Sequence, residues 1–102
     1  MIHVIAAIEV AQGRRDDLLC VVRELVPKVL EEDGCIEYGP AVDVDASMDI
    51  QGDLRENVVV MVEKWESVAA LKAHMTVPHM GEFLAEVKEM VKGLSLQILE
   101  PA

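Results

Sequence analysis

Few residues in this chain are equipped for chemistry, and most of them fall close together. Glu63, Trp65, His74, His79 and Glu82 lie within twenty positions, and Tyr38, Trp65 and Phe83 are the only aromatic side chains among the 102 residues. Glu63 and Trp65, two residues apart, share one face of any strand that contains both. A carboxylate on the inner face of a strand is costly unless it is bonded or paired. Glu63 therefore reads either as a proton-handling group in a pocket or as half of an ion pair or backbone bond, and both readings stand. Trp65 reads first as a core residue whose indole N–H is satisfied locally. His74 and His79 with Glu82, or with Glu63, have the residue types of a two-histidine, one-carboxylate iron site. Pro78 separates the histidines, so they do not lie on one continuous helix, and one packed and one solvated histidine with no metal is the plainer expectation.

Other chemistries lack their parts. The glycines are scattered, with no GxGxxG or GxxxxGK, and no GxSxG occurs. Asp43, Asp45 and Asp49 suggest a calcium loop, but Met48 and Leu54 stand where its glycine and bidentate acid belong. Cys20 and Cys35 show no CxxC or metal spacing and are expected to be buried, reduced thiols. No cofactor is implied.

The totals exclude several partners. With 52% hydrophobic residues the chain is expected to fold as a single domain over residues 1–102. A net charge of −10 opposes nucleic acid and anionic membrane, and 3% aromatics offers few stacking platforms. No apolar run is long enough to span a bilayer. The opening MIHVIAAIEV lacks a cationic start and carries Glu9, so it does not read as a signal peptide, and a cytoplasmic location is expected.

The elements that must position these residues follow from periodicity. Ile2–Val10 alternates as a strand, with Ile2, Val4, Ala6, Ile8 and Val10 on one face. From about Arg14 the period becomes helical, with Leu18, Val22, Leu25 and Val29 on a stripe that survives Pro27, and Gly34 closes the segment. Cys35–Val44 reads as a strand whose alternation runs on to Ile50, with an acidic second face and a turn at Gln51-Gly52-Asp53. Val58–Trp65 is apolar on both faces and belongs at the centre of a sheet. Ser67 caps a helix to about Met75, and Pro78 opens another with Met80, Phe83, Leu84, Val87 and Met90 on its stripe. Gly93 is expected to close that helix, and Leu94–Leu99 to form the last strand. The order β-α-β-β-α-β is the ferredoxin-like α+β plan, a four-stranded antiparallel sheet with helices on one face. The second face of the central strands, with Ile5 and Ala7, would then be an exposed apolar patch, which predicts a homodimer packed through its sheets.

The stretch from Glu31 to Tyr38, EEDGCIEY, a strand ending VEKW and the following ESVAALKAH resemble the antibiotic biosynthesis monooxygenase family of small dimeric α+β barrels. The family pattern falls on Glu32, Gly34, Cys35 and Tyr38, then Glu63 and Trp65, then Leu71 and His74, with HMGEF at His79–Phe83 also fitting. The resemblance implies a cofactor-independent oxygenase acting on a small phenolic or quinol-type ligand, with a pocket between sheet and helices. His74 or Glu63 would handle protons, Trp65 would line the pocket, and Tyr38 would donate a hydrogen bond; Met61, His79 and Phe83 would complete the substrate site. Met61 stands where polyketide-oxidising members carry asparagine, and the first strand has no asparagine of the kind haem-degrading members use. A non-catalytic small-molecule-binding or stress-response protein on the same scaffold is the alternative.

Overall fold

The computed structural model describes residues Met1–Ala102. In chain order the elements are β1 (Ile2–Val10), α1 (Arg15–Leu30), β2 (Cys35–Ala41), β3 (Val58–Trp65), α2 (Val68–His74), α3 (Pro78–Val87) and β4 (Val91–Leu99). The strands form one antiparallel sheet in the order β2-β3-β1-β4, the ferredoxin-like topology expected, with the second helical region split in two. β1 and β3 are central, as their apolar character requires.

Alternation decides which face each strand presents. Ile2, Val4, Ala6, Ile8 and Val10 are all buried beneath the helices, as are Val59, Met61, Glu63 and Trp65 of β3. The stripe Leu18, Val22, Leu25 and Val29 of α1 packs onto them, and α3 adds Met80, Phe83 and Val87. Each such side chain contributes about 1.5–3 kcal/mol relative to exposure. α1 runs through Pro27 to Leu30. Ser67 caps α2 by accepting the Ala70 N–H at 3.1 Å, and Pro78 opens α3.

Two expected boundaries are corrected. β2 stops at Ala41, and residues 42–57 form no strand. A ladder needs a neighbour, and the β2–β3 pairing ends with Ala41 opposite Val60. Beyond it, side chains take the backbone donors that a ladder would use. Asp45 accepts the Ser47 N–H at 2.8 Å, Gln51 accepts the Ala46 N–H at 2.9 Å, and Asp43 accepts the Arg55 N–H at 2.9 Å while also pairing with its guanidinium. At the other end, α3 stops at Val87, and β4 begins at Val91 rather than Leu94. Pairing with β1 decides this, since Val10 lies opposite Val91 and the Ala11 N–H reaches the Met90 carbonyl at 2.9 Å. Gly93 therefore sits inside the strand, opposite Glu9.

The helices leave one strip of their own sheet face bare. Leu94, Leu96 and Ile98 lie opposite Ile8, Ala6 and Val4 and so share the helix-side face, yet all three are exposed. On the far face Ile5 and Val62 lie opposite each other and are exposed as well.

Candidate functional site

The turn after α1 fixes the geometry of the site. Gly34 has φ +83°, and a Cβ on it would come within 2.6 Å of the Ala70 Cβ on α2. Only glycine allows both the left-handed backbone and that approach. The Glu66 N–H bonds the Gly34 carbonyl at 2.8 Å and ties the turn to the end of β3. Glu32, two residues earlier, is thereby laid against the end of α2 and the start of α3.

His74, the last residue of α2, is only 2% exposed. Its Nδ1 lies 2.9 and 3.0 Å from the two carboxylate oxygens of Glu32. His79, in the first turn of α3, places Nε2 at 2.6 Å from Oε2 of the same carboxylate. The His74 ring packs against Trp65 at a tilt of 39° with centroids 4.6 Å apart and meets Tyr38 edge-on at 5.5 Å. Trp65 is fully buried and donates its indole N–H to Glu63 Oε1 at 2.9 Å. Tyr38 lies directly opposite Glu63 across the β2–β3 ladder.

Between the sheet and α2–α3 lies a cavity of about 100 Å³. Its walls are mostly apolar, including Ala6, Ile8, Met61, Leu71, Met80 and Phe83, and the bare strip of β4 adds Leu94 and Leu96. Among the lining residues, only Glu63, His74 and Tyr38 carry side chains with a nitrogen or oxygen. A dry cavity of roughly 150 Å³ takes up a benzene; the enclosed space here suits one ring at most, with anything longer running out along β4.

Burial dominates the electrostatics. It raises the Glu63 carboxyl above its ordinary range; the indole bond opposes that shift, and nearby Glu32 adds to it. Burial lowers the His74 imidazole, against the opposing pull of Glu32. Tyr38 is pushed up by burial and by the carboxylates of Glu63 and Glu32, so it remains a phenol and a donor. Cys35 is pushed up to about 11 by burial, then by Glu32 and Glu63. The site thus offers a neutral imidazole, a phenol and a carboxyl whose proton affinity burial raises, around an apolar hole. That set can move protons in a water-poor space.

The expected residues divide by position. Glu63, His74, Tyr38, Met61 and Phe83 line the cavity. Trp65 does not: it lies behind Glu63 and His74, because its indole fills the core between them. His79 does not line it either, being turned onto Glu32, and Glu82 is exposed at the α1–α3 seam. No three His, Cys, Asp or Glu side chains are arranged to hold a metal ion. Cys20 is exposed, contrary to expectation, since it falls off the buried stripe of α1. Glu32 is a position of the family pattern to which the sequence assigns no role in the site. Its position beside Gly34 in the EEDGC turn was a signal, but nothing in the spacing joins residue 32 to residues 74 and 79.

Comparison with known proteins bears on the family and the fold. The family model described as antibiotic biosynthesis monooxygenase matches residues 1–86. The chain is 39% identical over 103 aligned positions to the probable quinol monooxygenase YgiN of Escherichia coli K12, covering 99% of this chain and 98% of YgiN. It is 32% identical over 91 positions to YcnE of Bacillus subtilis, covering 89% and 86% of the two chains. Among solved structures, PA3566 of Pseudomonas aeruginosa superposes with a TM-score of 0.80 at 25% identity, covering 99% of this chain and 93% of its own. Rv0793 of Mycobacterium tuberculosis gives 0.79 at 24%, covering 99% and 94%.

Proposed function

Since the chain belongs to the antibiotic biosynthesis monooxygenase family, we propose that it oxidises a small phenolic or quinol-type ligand with molecular oxygen and without a cofactor. The observation that carries this reading is the apolar cavity whose only polar walls are Glu63, His74 and Tyr38. Such a ligand brings its own electrons. Loss of a proton to His74 or Glu63 leaves an electron-rich anion that can reduce oxygen. One oxygen atom then enters the ring and the other leaves as water, so that a hydroquinone gives a hydroxyquinone. Tyr38 donates to the oxygen-centred anion, and the aliphatic walls keep bulk water from the intermediate. Trp65 acts from behind, holding Glu63 by hydrogen bond and His74 by ring contact.

Oxygen uptake with a panel of hydroquinones and anthrones, on metal-free protein, tests the proposal. Uptake that falls in His74→Ala and Trp65→Phe is the expected result. A flat trace with every compound in native protein counts against it. Met61 favours one other reading, a binding protein without turnover, because it puts a thioether in the wall where the family resemblance places the asparagine of polyketide-oxidising members. A ligand that binds stoichiometrically and is recovered unchanged would support that reading.

We also propose a homodimer packed through the far sheet face, where Ile5 and Val62 are exposed at the centre and Ala7 and Val60 flank them.

A further inference from the structure

We propose that Glu32 is a positioning residue for His74, itself aligned by His79, so that a carboxylate outside the cavity fixes which nitrogen of the histidine faces the ligand. The inference rests on the proton-handling role given to His74 above, but its geometric part stands alone.

An ionised carboxylate only accepts hydrogen bonds. With Nδ1 at 2.9 and 3.0 Å from the two oxygens of Glu32, His74 must carry its proton on Nδ1. Nε2 is then the unprotonated nitrogen; it has no hydrogen-bond partner in the protein, and under the proposal it serves the cavity that His74 lines. Free histidine prefers the opposite tautomer, so the protein selects the form able to accept a proton from a ligand. The same selection operates wherever a carboxylate stands behind a histidine base. When Nε2 takes the proton, the imidazolium donates through Nδ1 to Glu32, and the new charge is met by one already in place.

His79 completes the arrangement. Its Nε2–H donates to Oε2 at 2.6 Å, which fixes the rotation of the carboxylate while His74 approaches both oxygens. Glu32 is about 10% exposed at its side chain and His79 22%, so the pair links a buried base to the surface. Three segments meet at this carboxylate: the α1–β2 turn, α2 and α3. The ionisable groups that face His74 are Glu32 from the turn, His79 from α3, and Tyr38 and Glu63 from β2 and β3 across the cavity.

Long-range ¹H–¹⁵N spectra of labelled native protein read the tautomer directly, with no substrate needed. The expected signal is neutral His74 protonated at Nδ1; protonation at Nε2 overturns the proposal. Glu32→Gln can donate its amide to an unprotonated Nδ1, so the spectrum is expected to move toward the Nε2–H form. Oxygen uptake should fall about 10²–10⁴-fold in kcat with KM within about twofold, the range for a misaligned general base. Glu32→Gln that folds and keeps full kcat overturns the role in catalysis. Should that variant not fold, His79→Asn provides the second arm, with a drop of about 10-fold and a mixed tautomer population; an unchanged spectrum and rate there overturn the alignment. If native protein oxidises nothing, the proposed activity fails, and the native spectrum still decides the role of Glu32.

Discussion

Burial and the Glu32 carboxylate pull His74 in opposite directions, and burial prevails. The neutral imidazole then persists below its ordinary 6.5. We expect the acid limb of kcat/KM to have its midpoint below that value, measured by oxygen uptake across pH; a midpoint well above it would assign the limb to another group. For folding, a histidine depressed in the native state contributes stability that is present above its unfolded pKa and lost as pH falls through the folded one. Glu63 works in the other sense. Its carboxyl is raised in the folded state, so its contribution is full below the unfolded pKa and is lost as pH rises through the folded pKa. Glu63→Gln keeps an acceptor for the Trp65 N–H and removes the buried charge. It should therefore raise Tm at neutral pH by the equivalent of about 1 kcal/mol, with the gain shrinking on acidification. Thermal melts at several pH values check this. Trp65→Phe leaves Glu63 without its donor and is expected to cost about 2–3 kcal/mol.

Among the elements, the turn between α1 and β2 is the one on which site and fold both depend. Gly34→Ala meets the Ala70 Cβ and a left-handed backbone together, and should destabilise by about 2–3 kcal/mol while lowering activity more than the loss of folded protein explains. Denaturant melts alongside kcat at a temperature where the variant is folded separate the two effects. Much of this level was legible in sequence. Alternation in Ile2–Val10 and Val58–Trp65, the stripe from Leu18 to Val29, Ser67 and Pro78 each gave an element its place. The failures share a cause, which is that alternation is necessary for a strand but a neighbour makes one. Val42–Ile50 alternates and has no ladder to join, whereas Val91–Gly93 carries a helix-stopping signal and is claimed by β1. Glu63 and His74 were legible as unusual residues on inward faces. Glu32 was not, because its partners lie 42 and 47 positions away and only the turn geometry brings them together.

At the scale of the whole molecule, two apolar surfaces are unpaired, the far sheet face at Ile5 and Val62 and the helix-side strip Leu94, Leu96 and Ile98. Ile5→Asp or Val62→Asp should convert the proposed dimer to monomer, read by light scattering at micromolar concentration. The buried carboxylates have one more effect, on the lifetime of the protein. Thiolates, not thiols, are what oxidants attack. Cys35, next to the site, is held up to about 11 by burial, Glu32 and Glu63, whereas Cys20 is exposed on α1. Under the proposed oxidation, the sulfur beside the site would thereby stay in its unreactive form. Iodoacetamide at pH 8 should label Cys20 well before Cys35, and peroxide damage should begin at the surface and reach the chamber last.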